Sequence, residues 1–330
     1  MHILGIESTA HTFGVGVVQR QLNEKAEIVS NQLAKFPSTQ KGYIPRELVE
    51  FHSNHFKEVL EKALAEAGIS IQEIDAVAYS QSPGIGHCLH FGYIISKTLS
   101  VFLGVPLIPV NHAIAHVEVG KFLCNARDPL VVYVSGGNTQ ILARTKVGRN
   151  HYYKVYGETL DIGIGNFLDQ VGRSLNLNPP DAVGVLLNAP KGKKFIRLPY
   201  TVKGMNLAFS GLLTAINRLK EKYGTKDLCY SAQETAFSML VEATERCLCH
   251  TRNPEVLLCG GNARNKRLQE MMGFMCAEQE TRFCVAPDEY NGDNGGMIAL
   301  TGLLLYACGK IPEKKEPDQK ARVDSQPIPF

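Results

Sequence analysis

Residues 110–120 read Val-Asn-His-Ala-Ile-Ala-His-Val-Glu-Val-Gly, with His112 and His116 four apart just after an apolar, strand-like run. Asn111 is a good helix N-cap, so both histidines fall one turn apart on one face of the helix that follows, where two imidazoles can reach one metal ion. Spacing alone leaves a plainer alternative open, a core or capping histidine beside a solvent-facing one. Ala113 follows the first histidine, so the glutamate base of an HExxH peptidase is missing and zincin-type hydrolysis is disfavoured. Farther along, Asp293 stands in Gly-Asp-Asn-Gly-Gly before an apolar helix. Its plain role is an N-cap; as a ligand it would complete a His-His-carboxylate set with open positions.

Two turns could hold an anionic or nucleotide ligand. In Tyr133–Gln140 the segment Ser135-Gly136-Gly137-Asn138 carries little side chain, so successive backbone N–H groups can close around a phosphate or carboxylate, although the same residues also make a plain hairpin turn. Glu7–Thr12, Glu-Ser-Thr-Ala-His-Thr, is small and polar in the corresponding place, and two facing turns would form the jaws of a nucleotide cleft. Next, a buried strand ends on Gly260-Gly261 and a helix starts near Asn265, which lets backbone pack against a flat adenine or ribose while Asn265 offers donors and acceptors. A strand, two glycines and a helix are also common packing geometry. No Ser-His or Cys-His nucleophile arrangement stands out.

These residues need a scaffold, and the pattern describes a duplicated one. Residues 2–19 read as strand, tight polar turn and strand, and residues 130–145 repeat that plan. Helix-period material follows each hairpin, at 45–68 and 165–176, and each half returns to a buried strand with a glycine-rich exit, at 74–86 and 254–265. An open α/β sheet binds its ligand at such carboxyl ends. Residues 178–194, rich in proline, glycine and lysine, are expected to form a loop or small subdomain, and the polar, proline-rich end to be extended and partly mobile. The longest apolar run, near residue 300, is too short for a bilayer and reads as a buried helix; no membrane association is expected.

Composition adds limits. With 330 residues and 44% apolar content the chain can fill two cores. Its nine cysteines, with no pair at CxxC spacing, suit free thiols in a reducing compartment and support neither a zinc finger nor a disulfide framework. The start lacks a basic region and a cleavage site, so a cytoplasmic protein is expected, with nuclear residence open in a eukaryote. A net charge of +3 permits a polyanionic partner without demanding one.

Taken in order, LGIESTAHTFGVGVV, IDAVAYSQSPGIG, VNHAIAHVEVG, DPLVVYVSGGNTQ, YGETLDIGIGNFLDQ, LPYTVKGMNLAFSGLLTA and GDNGGMIA closely resemble the ASKHA-fold proteins of the Kae/TsaD/Qri group, from about residue 3 to residue 310. The GETLD, LPYTVKG and YVSGGNTQ wording resembles the archaeal and eukaryotic branch, the OSGEP-like threonylcarbamoyl-transferase subunit of the KEOPS (EKC) complex. The resemblance implies an α/β fold of two duplicated lobes with a nucleotide cleft between them. On that reading residues 1–127 form the first lobe, completed by a helix at 295–310; residues 128–294 form the second, with an inserted loop at 178–205; and 311–330 are an extended tail. It implies one metal ion, iron or zinc, on His112, His116, Asp293 and Tyr133. It implies substrate contacts from Tyr133, Val134, Ser135, Gly136, Gly137 and Asn138, and from Asp169, Gly260, Gly261 and Asn265. The expected substrate is threonylcarbamoyl-AMP, an ATP- or AMP-type nucleotide fills the cleft, and the acceptor is the adenosine beside the anticodon in tRNAs reading A-starting codons. Expected partners are the tRNA, a small atypical protein kinase subunit and a dimerising subunit.

The chain departs from the family pattern in two places. Ala182 and Leu186 stand where a glycine and a glutamate usually meet the ribose, with Asp181 as a replacement after a slip. Ser82, His87 and His90 stand where glycine, a small residue or proline, and arginine are common, and the loss of the arginine removes a fixed cation. Four readings follow: a transferase acting by direct transfer without a covalent enzyme intermediate; a regulatory ATP-binding subunit of the same fold; a metalloprotease, which Ala113 opposes; and a sugar or acetate kinase, which gives the histidines no purpose.

Overall fold

A computed structural model describes residues 1–21, 25–40 and 42–328. Two five-stranded sheets share one topology. In the first, β1 (His2–Glu7), β2 (Thr12–Gln19) and β3 (Glu27–Lys35) form an antiparallel meander, and β4 (Ala76–Ser82) and β5 (Leu107–Asn111) add in parallel on the other side of β1, in the order β3-β2-β1-β4-β5. Interposed are α1 (Pro45–Ala67), α2 (Gly86–Leu103) and, after β5, α3 (His112–Cys124). The second sheet begins with the meander β6 (Leu130–Val134), β7 (Thr139–Val147) and β8 (Asn150–Glu158). There follow α4 (Ile164–Ser174), α5 (Ala182–Asn188), a short hairpin of β9 (Val202–Lys203) and β10 (Asn206–Leu207), α6 (Ser210–Leu219) and α7 (Thr225–Thr251). Then β11 (Glu255–Cys259), α8 (Lys266–Glu278), β12 (Arg282–Val285) and α9 (Asp288–Asn291) complete the order β12-β11-β6-β7-β8. The last helix is α10 (Gly295–Ala307). This is the ASKHA-type α/β architecture.

The strands that carry the site, β4, β5, β6 and β11, are buried along their whole length, which explains their near-continuous apolar runs. The edge strands β3 and β8 were not expected from the sequence; both are mixed in burial and carry polar residues throughout, so they lack that signal. Helix α10 lies against the first sheet, where Met297, Ile298, Leu300 and Leu303 share a core with Ile3, Val18, Ala76 and Ile108. Its approach depends on glycine: a Cβ on Gly16 or Gly295 would run into the facing backbone of the other element. That contact delivers the start of α10, and Asp293 with it, to the end of the sheet.

Two expectations need correction. Residues 178–205 are not merely loop, since α5 and a short 3-10 turn after it bury Val185 and Ala189, and Leu198 beyond them, in the core of the second sheet. The end of the chain, expected to be partly mobile, is extended but packed. Gln81 Nε2 donates to Lys314 O (2.8 Å) and Glu316 O (3.0 Å), Ile328 N donates to His151 O (2.6 Å) on β8, and Val323 and Ile328 are buried. Apolar side chains at those two positions anchor an otherwise polar segment. Residues 329–330 of that expected tail lie outside the described residues. Among the described residues no helix is long and apolar enough to cross a membrane, and the apolar run near residue 300 is the buried α10.

Candidate metal and substrate site

Asn111 caps α3 as expected, its side chain accepting from Ala113 N (3.0 Å) and Ile114 N (3.2 Å). The two histidines that follow turn their Nε2 atoms to one another at 3.2 Å, and Asp293 Oδ1 lies 3.3 Å from His116 Nε2 and 3.5 Å from His112 Nε2. Asp293 is not the cap of α10; Asn294 is, accepting from Met297 N at 2.9 Å, which leaves the aspartate free to face the histidines. The three donor atoms therefore mark a triangle with nearly equal sides. Metal bonds of about 2.0–2.1 Å put tetrahedral ligands roughly 3.3 Å apart, so the triangle has the size of one ligand face. Both histidines are almost dry, His116 1% and His112 6% exposed, while Asp293 is half-buried.

A carboxylate the sequence reading did not single out orients this face. Glu7, fully buried at the end of β1, places Oε2 2.8 Å from His112 Nδ1, while its Oε1 accepts from Thr9 N (2.7 Å) and Thr9 Oγ1 (2.5 Å). A carboxylate on Nδ1 fixes the proton there and turns the Nε2 lone pair toward the cluster, the arrangement usual behind a metal-bound histidine. The signal available in sequence was an acidic residue ending an otherwise apolar strand. Burial opposes charge on His112, but Glu7 and then Asp293 outweigh it and hold the imidazole up at about 9. Burial pulls His116 down, with the charge of His112 adding to it. Burial would raise Asp293, yet the hydrogen bond from His116 and the fields of His112 and His11 hold its carboxyl far below the usual range. The cluster thus favours one positive charge at its centre, from a proton or a metal.

Tyr133, next to last in β6, has its ring 5.6 Å from that of His116, and burial pushes its phenol well above the ordinary value. After buried Val134 the chain turns through Ser135–Asn138, closed by Ser135 N donating to Asn138 O (2.8 Å) and Asn138 N donating to Ser135 Oγ (3.0 Å). Gly136 and Gly137 are exposed at its tip, and Gly136 O accepts from Asn166 N of α4 at 2.9 Å. Tyr133 pairs with Cys259 across the sheet, so this turn and Gly260–Gly261 lie side by side at the strand ends. Gly260 has φ +95° and sits against Val134 O, a place for glycine only. Asn265 spends Oδ1 on capping α8, through Arg267 N (2.9 Å) and Leu268 N (3.1 Å), while its buried Nδ2 has no partner among the described residues.

The family model described as TsaD: tRNA N6-adenosine threonylcarbamoyltransferase matches residues 25–300. The chain belongs to this family. Proteins named tRNA N6-adenosine threonylcarbamoyltransferase from Methanopyrus kandleri and Staphylothermus marinus are each 45% identical to it, covering 100% and 99% of this chain and 96% and 99% of their own. Among solved structures it is similar to HypF from T. kodakarensis, with a TM-score of 0.62 at 16% identity over 95% of this chain and 48% of that one. It is also similar to component A of Acidaminococcus fermentans (R)-2-hydroxyglutaryl-CoA dehydratase, with a TM-score of 0.56 at 13% identity over 91% of this chain and 96% of that one. These two likenesses concern the fold.

Against the TsaD-family pattern, the departures have local explanations. Asp169 Oδ1 accepts from Ala182 N (2.9 Å), so this carboxylate anchors the start of α5, and burial raises its pKa. Asp181 is the N-cap of α5, accepting from Val183 N (2.9 Å) and Gly184 N (3.3 Å), and is not free to replace the family's glutamate with both oxygens. Leu186 is half-buried and supplies no polar contact. His90 Nδ1 donates back to Gly86 O at 2.7 Å, which removes it as a stand-in for an outward-reaching arginine.

Proposed function

We propose that the chain is a tRNA N6-adenosine threonylcarbamoyltransferase that moves the threonylcarbamoyl group from threonylcarbamoyl-AMP to the adenosine beside the anticodon, as the catalytic subunit of a KEOPS-type assembly. The observation that carries this reading is the triangle of His112, His116 and half-buried Asp293, with Glu7 behind it, set beside the glycine-rich strand ends of the second sheet. Iron or zinc held by His112, His116 and Asp293, with Tyr133 as a further candidate, would supply a Lewis acid to the carbamoyl oxygen.

This chain's own residues bind, orient and exclude water. Exposed backbone at Gly136–Gly137, in the turn Ser135–Asn138, receives the anionic end of the substrate, Asn265 Nδ2 donates to the nucleotide, and Gly260–Gly261 lets it lie close to the sheet. Asp169 acts through Ala182, holding α5 as the wall of the ribose side. In the transfer a C–N bond forms to the adenine N6, the C–O bond to AMP breaks, and N6 loses one proton. With no activated nucleophile in this set, positioning supplies most of the rate and no enzyme-bound intermediate forms. We assign residues 1–127 and α10 to one lobe, residues 128–294 to the other and 311–330 to the tail, on the strength of the shared core of α10 with the first sheet.

A small atypical kinase and a dimerising subunit are the proposed partners, in the cytoplasm. Relevant here is a Methanococcus maripaludis relative named probable bifunctional tRNA threonylcarbamoyladenosine biosynthesis protein, 47% identical, of which this chain spans 55%. The second reading, a regulatory ATP-binding subunit, draws on the altered α5 segment. The test is a transfer assay with labelled threonylcarbamoyl-AMP and unmodified tRNA, comparing the chain with His112→Ala and His116→Ala and counting metal. Label reaching tRNA only with both histidines and about one metal supports the transferase; no transfer by metal-loaded protein with partners present favours the regulatory subunit.

A further inference from the structure

An aromatic stack in the connection after the first meander, packed on the turn that carries Glu7 and Thr9, has no part in the scheme above. Tyr43, in the connection between β3 and α1, lies over His11 with ring centroids 5.0 Å apart and planes 12° apart. Phe36 packs edge-on against Tyr43 at 6.3 Å, and Phe36 N donates to His11 O at 2.8 Å. A tight turn precedes the ring: Gly42 N donates to Thr39 O (3.1 Å), Thr39 Oγ1 donates to Gly42 O (2.8 Å), and Gly42 has φ +74°. One face of Tyr43 is thus covered and its edge braced, while 37% of the residue stays exposed. Both rings lie within electrostatic reach of Asp293 and Asp169, and Tyr43 also of Asp181 and Arg173 on the α4–α5 side. His11 follows Glu7 and Thr9 in the same turn, so the stack is tied to the residues that hold His112.

We propose that the outer face of Tyr43 is the platform on which the acceptor adenine stacks, an inference that rests on the transferase reading. A preformed aromatic face is the surface proteins use to hold an unpaired base. The adenine of the departing AMP belongs on the other side, with Gly260–Gly261 and Asn265 of the second sheet, so two purines would flank the His112–His116–Asp293 cluster from opposite walls. Among the described residues the other exposed aromatic rings are Phe102 on α2, Phe122 near the C-terminal end of α3, Phe195 and Tyr200 beyond α5, and Phe274 on α8. Burial pushes the Tyr43 hydroxyl up to about 12, so the ring stays neutral over the working range.

The experiment uses the full chain and an anticodon stem-loop RNA carrying 2-aminopurine at the acceptor position, with transfer kinetics on unmodified tRNA in parallel. Binding should quench the fluorophore with the wild type and with Tyr43→Phe. With Tyr43→Leu the quench should disappear, and KM for tRNA should rise about 5- to 150-fold while KM for threonylcarbamoyl-AMP stays unchanged. Metal content and melting temperature, equal in all three, exclude misfolding. Transfer by Tyr43→Leu with an unchanged KM and an unchanged quench overturns the platform alone. A metal-loaded wild type that, with the partner subunits present, neither transfers nor quenches overturns the transferase reading, and the platform with it.

Discussion

Glu7→Gln is nearly isosteric, yet it should disable the metal site. Thr9 N and Thr9 Oγ1 both donate to Glu7 Oε1, at 2.7 and 2.5 Å, and a backbone N–H cannot become an acceptor. The amide oxygen of glutamine must stay there, which turns its NH2 toward His112 Nδ1, 2.8 Å from the present Oε2. The imidazole would then accept at Nδ1 and carry its proton on Nε2, the atom that faces His116 and Asp293. In the wild type a metal can displace the Nε2 proton because Glu7 keeps the other on Nδ1; in the variant the one proton of the neutral ring sits on Nε2, where the ligand lone pair is needed. Loss of such an orienting partner costs typically 10- to 100-fold in metal affinity, about 1.4–2.7 kcal/mol. Competition with a chromophoric chelator for zinc at pH 7.5 measures this, with melting curves of the metal-free proteins as control. Glu7→Asp should retain more affinity than Glu7→Gln, since it keeps the charge. Equal zinc affinity in wild type and Glu7→Gln would refute the tautomer argument.

Three other perturbations probe the scaffold. His52 is fully buried among Phe13, Phe51 and Phe91, and burial depresses its pKa to about 4 from 6.5, so the unfolded chain binds the proton more readily and stability is lost as pH falls from 6.5 toward 4. Between pH 7.5 and pH 5 this contributes about 2 kcal/mol, and His52→Phe should flatten the pH dependence of denaturant unfolding by that amount. Gly295→Ala puts a methyl group into Gly16 and Val15 backbone; a cost of about 1–3 kcal/mol in stability and weaker metal retention, from displaced Asp293, are expected in unfolding and metal-count measurements. Ile328→Ser should lower the melting temperature by a few degrees and raise proteolysis of the segment after residue 310, since Ile328 is 2% exposed and pairs with His151; unchanged proteolysis would mean the segment is held elsewhere.

What could be read in the chain is local chemistry and its repetition. Asn111 as a cap, the histidines one turn apart, the buried strands and the two matching hairpins all depend on neighbours within a few residues, where periodicity and capping rules act directly. The edge strands β3 and β8 escaped because mixed burial leaves no regular pattern, and the last residues were misjudged because two apolar anchors, Val323 and Ile328, decide the fate of a polar segment. The choice between a metal pair and two ordinary histidines depended on groups far away in sequence. Asp293 is 177 residues from His116 and Glu7 is 105 from His112; they meet because glycine backbone in β2 lets α10 lie directly on the first sheet, and because β1 and β5 end at the same level on either side of β4. Residue types alone offered candidate ligands, whereas burial and packing decided which oxygen faces which nitrogen, since only a folded core fixes hydrogen-bond partners at 3 Å.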